Sequence, residues 1–155
     1  MRFLAIVLSV FCLAAAGCQS QQTPAASSAR TAIPTASALA PANSRLDAEV
    51  AMPPGFPSDF PIYPHARLTA AASFSSTGQV AWGMEWQTVD AQAPVQAFYT
   101  KQLSQADWTM SVTSTANGDF AATFSRKSDS HVTGTLAANR DANTTKILVS
   151  LVSTG

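Results

Sequence analysis

The fold is decided by one stretch of the chain, Val80-Ala81-Trp82-Gly83-Met84-Glu85-Trp86-Gln87. Large apolar side chains alternate here with small or polar ones, and a period of two is typical of a β-strand with one buried face. A similar alternation precedes it, at Leu68, Ala70, Ala72 and Phe74, and the intervening sequence 75–78 (SSTG) favours a turn. We therefore predict two consecutive strands whose tryptophans and Phe74 lie on the buried face.

A helical period follows this pair of strands. Between Ala93 and Ala106, residues at spacings of three and four form a single stripe: Val95, Phe98, Tyr99, Gln102, Leu103 and Ala106. The helix could begin with Asp90 as its N-cap or with Pro94 at its first helical position, and the spacing does not decide between them.

Four more strands are predicted after the helix. Their alternating residues are Trp108, Met110 and Val112; Phe120, Ala122 and Phe124; Val132, Gly134 and Leu136; and Ile147, Val149 and Leu151. Asn117-Gly118 is a strong hairpin-turn signal, because a two-residue turn needs positive φ at both positions. Polar residues at 126–130 and 140–143 mark the other two turns.

The predicted order is ββαββββ, which indicates an α+β two-layer sandwich. One helix packs on a mostly antiparallel sheet of about six strands, because the connections are of hairpin length. Aromatic residues of the sheet are expected to meet Phe98, Tyr99 and Leu103 of the helix. The other sheet face carries Thr, Ser, Ala and Gln, and we expect it to contact solvent.

A proline-rich segment, residues 53–66, opens the domain, which spans 53–155. Its prolines favour extended backbone, and its aromatic residues can still be buried, so we predict a strap along the domain edge. The segment also contains two P-x-x-P matches, which leaves open a role as a ligand for a proline-reading module.

Residues 18–52 are dominated by Ala, Ser, Thr, Gln and Pro, with little apolar bulk. Such a composition cannot offset the entropy of ordering, so we predict a disordered linker. A flexible coil of this length spans roughly 30 Å on average.

The N-terminus has the anatomy of an export signal, residues 1–17. Arg2 supplies a positive charge, and residues 3–16 are almost continuously apolar but short for a membrane span, which needs about 20 residues. Small residues then lead directly to Cys18. An ordinary secretory signal, with Cys18 incidental, is the alternative.

Ala15-Ala16-Gly17-Cys18 resembles the lipobox of bacterial lipoproteins, although the family pattern prefers Leu where Ala15 stands. The resemblance implies cleavage between Gly17 and Cys18, with fatty acyl groups such as palmitate on Cys18. Each buried methylene of an acyl chain contributes about 0.8 kcal/mol to membrane binding, so several chains anchor a protein durably. In Gram-negative relatives an aspartate after the cysteine retains lipoproteins in the inner membrane. Gln19 here implies an outer-membrane anchor facing the periplasm.

Two segments resemble a type of small bacterial secreted and lipoprotein domain. The family patterns FPxDxPIYPGA and FYxxQLxxxGW correspond to residues 56–66 and 98–108. His65 and Asp107 replace the family glycines, so we predict mild backbone strain at both positions. The resemblance implies fold and location, and it brings no activity.

The sequence offers no catalytic, metal-binding or cofactor-binding constellation. His65 and His131 are the only histidines, and His131 has only turn neighbours, Ser128, Asp129 and Ser130, which do not form a triad. Glu85 lies mid-strand on the polar face. Processing would leave Cys18 as the single cysteine, which excludes a disulfide or a cysteine zinc site. The chain has zero formal net charge, so nucleic acid is not an expected partner.

Three hypotheses remain for the domain. The first is a non-catalytic interaction or accessory domain of a membrane-anchored envelope lipoprotein, which binds an envelope protein through an unpaired sheet edge. The second is a small-ligand or glycan binder with a cleft between helix and sheet, in which the tryptophans could stack on a sugar. An enzyme is the third and the least supported.

Overall fold

The computed structural model describes residues 39–43, 45–114 and 119–155. The predicted signal peptide, Cys18 and most of the predicted linker lie outside these residues. The elements, in chain order, are β1 (Arg67–Ser76), β2 (Gln79–Thr88), α1 (Gln92–Gln102), β3 (Trp108–Ser114), β4 (Phe120–Arg126), β5 (Val132–Asp141) and β6 (Thr144–Thr154). The predicted order ββαββββ is confirmed.

The strands form one six-stranded sheet with the order β1-β2-β6-β5-β4-β3, and every neighbouring pair is antiparallel. The helix connection carries the chain from β2 to the far edge, where β3 lies. The hairpin-linked strands β3 to β6 then return, so the last strand fills the space beside β2. The predicted turn at Asn117-Gly118 lies outside the described residues, between the paired strands β3 and β4.

The alternation in β2 is confirmed. Trp82, Met84 and Trp86 are 6%, 3% and 2% exposed. Their direct partners across the β2–β6 pair are Leu151, Val149 and Ile147, all buried. Directly opposed residues of an antiparallel pair lie on the same face, so these six side chains form the centre of the core.

The alternation in β1 is interrupted, and the prediction that Phe74 belongs to the core is wrong. The register shifts between Leu68 and Ala70, a β-bulge that leaves Leu68 buried opposite Trp86. Beyond this bulge Ala71 lies opposite Met84, and Phe74 lies opposite Ala81 on the other face, where it is 67% exposed. One extra residue moves every later side chain to the opposite face.

The helix is shorter than predicted and ends at Gln102 instead of Ala106. Its N-cap is Ala91, without a side-chain hydrogen bond, so neither predicted start is correct. Pro94 is the third helical residue, a position whose amide has no partner within the helix. Val95, Tyr99 and Leu103 are fully buried, whereas Ala106 lies beyond the helix with a φ of 50°.

This left-handed residue also corrects the strain predicted at His65 and Asp107. The described non-glycine residues with positive φ are Ala106 and Ala142, and neither of the two predicted positions is among them. The turn after α1 therefore places its strained residue one position before Asp107.

The proline-rich strap crosses the inner face of the sheet beside the helix. Phe56 contacts Trp82 and Trp86 over β2, with ring centroids 6.2 and 6.0 Å apart. Four residues later, Phe60 contacts Trp108 and Phe124 over β3 and β4, at 5.7 and 5.3 Å. The strap therefore forms part of the layer that covers the sheet, together with α1.

The last part of the predicted linker, residues 39–52, contacts the domain. The amide of Val50 donates to the carbonyl of Leu68 on edge strand β1, at 2.9 Å. The Arg67 guanidinium donates to the carbonyls of Pro41 and Asp47. The composition of this segment offers little apolar bulk, and hydrogen bonds to backbone carbonyls hold it against the domain instead. Within the described residues, none of the helices has the length and hydropathy needed to cross a membrane.

Gly134 is required by the close approach of an aromatic ring. It lies opposite Phe124 on β4 and Leu151 on β6, on the inner face. A Cβ built on Gly134 would overlap the Phe124 ring and the carbonyl oxygen of Ser150. The absence of a side chain at this position therefore makes room for Phe124 in the core.

We expect Gly134→Ala to lower the free energy of unfolding by about 1–3 kcal/mol, because the added methyl group overpacks the core. Urea denaturation followed by tryptophan fluorescence measures this. Gly83→Ala is the matched control, since a Cβ there meets nothing within 4 Å. Equal losses of stability in the two variants would contradict this account of Gly134.

Candidate binding face

The strand registers place one set of side chains on the sheet face opposite the helix. We call this set the outer face: Ala70, Ala72, Phe74, Ala81, Gly83, Glu85, Thr109, Ser111, Ser114, Ala121, Thr123, Ser125, Thr133, Thr135, Ala137, Leu148, Ser150 and Val152. It comprises three rows across the six strands. The sequence prediction of a Thr-, Ser- and Ala-rich face is confirmed, but it did not include the larger apolar residues Phe74, Leu148 and Val152.

The outer face is nearly free of charge. Within these three rows Glu85 is the one ionisable residue, and it accepts from Gln87 Nε2 at 2.9 Å and from Thr69 Oγ1 at 3.4 Å. The next row along the same side of the sheet contains Arg67 and Lys146, both paired with Gln87. About a quarter of the residues in an average soluble protein are charged. The solvated face of an antiparallel sheet is typically polar, and this face differs from that pattern in its exposed apolar residues and low charge.

The two halves of the outer face differ in chemistry. The half on β1, β2 and β6 is mostly apolar, with Phe74 67% and Leu148 40% exposed. The half on β5, β4 and β3 is mostly threonine and serine. Exposed large apolar residues therefore lie on one side, and hydroxyl donors and acceptors lie on the other.

Small side chains make the outer face concave. Two adjoining depressions, of about 530 and 650 Å³, open on it and share Thr123, Thr135 and Ser150. The larger depression is lined largely by alanines, together with Gly83 and Leu148. Because these side chains are small, a molecule on the outer face could approach the sheet backbone closely.

Both edges of the sheet are irregular. Edge strand β1 has its bulge after Leu68, and edge strand β3 has a register shift between Val112 and Ser114. The start of β1 is also engaged by Val50. Bulges at edge strands disfavour pairing with another strand. These features favour the face, and not an edge, as the surface for a partner.

A polar cluster lies at the end of the sheet where β2 leads into α1. Asp90 Oδ2 accepts a hydrogen bond from the Tyr63 hydroxyl at 2.8 Å and lies 2.9 Å from His65 Nδ1. The hydrogen bonds from His65 and then Tyr63 hold the pKa of Asp90 below its usual value. Burial raises the pKa of Tyr63, and the hydrogen bond to Asp90 raises it further. Sequence spacing does not reveal this cluster, because 25 residues separate His65 from Asp90.

The cluster is linked to the β5–β6 hairpin. The carbonyl of Asp90 accepts from Arg140 Nη1 at 2.8 Å and from Thr145 Oγ1 at 2.7 Å. Lys146 and Asp141 form an ion pair at 2.9 Å in the polar depression beside it. These groups satisfy one another, and they hold the β2–α1 loop against the sheet. The cluster therefore has a structural role.

The structure places the other residues that were weighed for chemistry apart from one another. The His131 ring lies 3.3 Å from Thr154 Oγ1 and is exposed, while Ser128 hydrogen-bonds to Asp107. No triad forms among these described residues. Trp82, Trp86 and Trp108 are all buried, so their interpretation as core residues is confirmed. Within residues 39–43, 45–114 and 119–155, no group of three or more His, Cys, Asp or Glu is placed to hold a metal ion.

The interface between helix and sheet is filled by side chains. Val95, Tyr99 and Leu103 are fully buried there, and Phe60 packs 6.5 Å from Tyr99 between their ring centroids. The depressions described above open on the opposite face. Binding on the helix side would require these side chains to move.

No protein-family model matches the chain, and neither a curated protein nor a solved structure matches it significantly. The outer face and the polar cluster are therefore interpreted from their own chemistry.

We expect Asp90→Asn to lower the urea midpoint of unfolding at pH 7. The folded state holds the pKa of Asp90 below its unfolded value of about 3.9, so the carboxylate stabilises the fold above that pH. This contribution disappears as the pH falls through the lowered pKa. The difference in urea midpoint between variant and wild type should therefore shrink between pH 5 and pH 3.

Asp119→Asn, at an exposed position before β4, is the control. A difference that stays constant with pH would contradict the role given to the carboxylate.

Proposed function

We propose that this protein is an exported lipoprotein, cleaved after Gly17 and held to a membrane by lipid on Cys18. In this proposal the folded domain is a non-catalytic binding module whose contact surface is the outer face. The protein would act in the cell envelope, anchored to the outer membrane and facing the periplasm if the cell is Gram-negative.

The proposal of an anchor is supported by the sequence at the N-terminus. A short apolar run ends in Ala15-Ala16-Gly17, directly followed by Cys18, and the segment after the cysteine is rich in Ser, Thr, Gln and Pro. An apolar run of this length suits a cleaved signal, and the cysteine offers a thiol at the new N-terminus. Gln19, and not an aspartate, follows it.

The single observation that carries the binding role is the composition of the outer face. It is a broad exposed surface with one charged residue, Glu85, and a protruding Phe74. The titratable groups of the domain lie mainly at the ends of the sheet, where they pair with one another, as Arg126 does with Asp59 and Lys146 with Asp141. Such a division suits a surface that is covered by a partner.

A second candidate function is the binding of a small ligand or glycan. The observation that favours it is the depression of about 650 Å³, whose size is in the range of small-molecule sites. Hydroxyls of Thr123, Thr135 and Ser150 border it. Thr135→Val would remove one of these hydroxyls while keeping the shape, and it should weaken a glycan far more than a protein contact.

We expect Cys18→Ala to abolish incorporation of a palmitate label and to release the protein from the membrane fraction. The lipid would be attached to the Cys18 sulfur, and alanine provides no acceptor. Metabolic labelling with an alkyne fatty acid and membrane flotation measure the two effects. Cys12→Ala is the matched control, since Cys12 would be removed with the signal. Continued membrane binding and labelling of the Cys18→Ala variant would refute the anchor.

A further inference from the structure

We propose that the outer face is covered by the outer face of a second copy of this chain, as a symmetric dimer of two sheets packed face to face. This inference rests on the proposed function, because it names the partner of the same surface. It commits to a copy of the chain and not to another protein or a lipid surface.

The low charge of the outer face is compatible with a second copy as its partner. In a symmetric contact the same surface occurs twice, so any net charge on it repels itself. The three rows of the outer face have one charged residue, Glu85; Arg67 and Lys146 follow in the next row at the sheet end, where Lys146 pairs with Asp141.

The division of the outer face into an apolar and a hydroxyl half suits a two-fold contact in which like halves meet. A two-fold axis that runs across the strands places β1, β2 and β6 of one copy over the same strands of the other. It also exchanges the outer two rows, so Phe74 meets the row that contains Ala70, and Leu148 meets the row that contains Val152. The protruding Phe74 then packs on small residues of the partner. Glu85 meets the row of Ala81 and not its own copy.

The area of the outer face is close to that of a dimer interface. Six strands about 4.8 Å apart span about 29 Å, and six residues along a strand span about 20 Å. The flat area is therefore roughly 600 Å², and side-chain relief increases the accessible area beyond this. Stable interfaces bury about 800 Å² on each partner. One outer face is thus close to the size that a specific dimer needs.

Anchoring strengthens this contact. If Cys18 carries lipid, every copy is confined to a thin layer at the membrane, which raises the effective concentration of one outer face for another. A contact that is weak in dilute solution can then be occupied at the membrane.

Cross-linking of the full chain in intact cells tests the inference. Ser150 is exposed in the middle row on β6, so Ser150→Cys places a thiol next to the proposed axis. Thr100→Cys places one on the exposed surface of α1, on the opposite side of the sheet. A short bis-maleimide is added to cells, and products are separated by mass.

We expect a product of twice the chain mass with Ser150→Cys and not with Thr100→Cys. Adding Ala72→Glu, an exposed change in the same row, should reduce this product about tenfold or more, because a carboxylate would be buried without a partner. Equal dimer yields at the two cysteine positions, or no product at Ser150→Cys, would overturn the inference.

A Ser150→Cys product with a different mass identifies another protein on the outer face. That outcome overturns the second copy as occupant and leaves the proposed binding module intact. Fatty-acid labelling of the same cells reports the anchor independently, so its failure is distinguished from failure of the dimer.

Discussion

The structure depends on covering one face of a six-stranded antiparallel sheet. An eleven-residue helix is about 16 Å long, whereas six strands span about 29 Å. Helix α1 therefore cannot cover the inner face alone, and the proline-rich strap supplies the rest through Phe56 and Phe60. The strap is not extended as its prolines predict: hydrogen-bonded turns at 53–56 and 57–60 bend it. Phe56 and Phe60, whose ring centroids lie 5.6 Å apart, together cover β2 and the β3–β4 side of the sheet.

This covering layer also explains the close packing beneath it. Phe60 contacts Tyr99 of the helix, Trp108 of β3 and Phe124 of β4, so a single ring joins three elements. Phe124 in turn occupies the space left by Gly134. Polar groups at the two ends of the sheet, around Asp90 and around Arg126, hold the strap and loops in position.

The opposite face follows from the same sheet. Because titratable groups are concentrated at the ends, the outer face between them is nearly uncharged, and the bulge in β1 adds Phe74 to it. A domain tethered at a membrane through Cys18 would present this face freely to a partner. The combination of an uncharged, concave face with irregular sheet edges supports contact through the face.

The sequence by itself determined the element order, the single helix and most of the core. Alternation in β2, β4, β5 and β6 correctly identified buried residues, because side chains of a regular strand alternate by geometry alone. The proposed lipid anchor rests on the sequence alone, since the signal is a short linear pattern.

Only the tertiary structure decided which side Phe74 occupies, where α1 ends, and that residues 39–52 contact the domain. A bulge depends on pairing with β2, and the end of α1 depends on the turn at Ala106, so neither is encoded in local periodicity. The Tyr63–His65–Asp90 cluster and the continuous outer face likewise join residues that are distant in the chain. Local pattern fixes the character of each strand, whereas the long-range register of six strands fixes which side chains become neighbours.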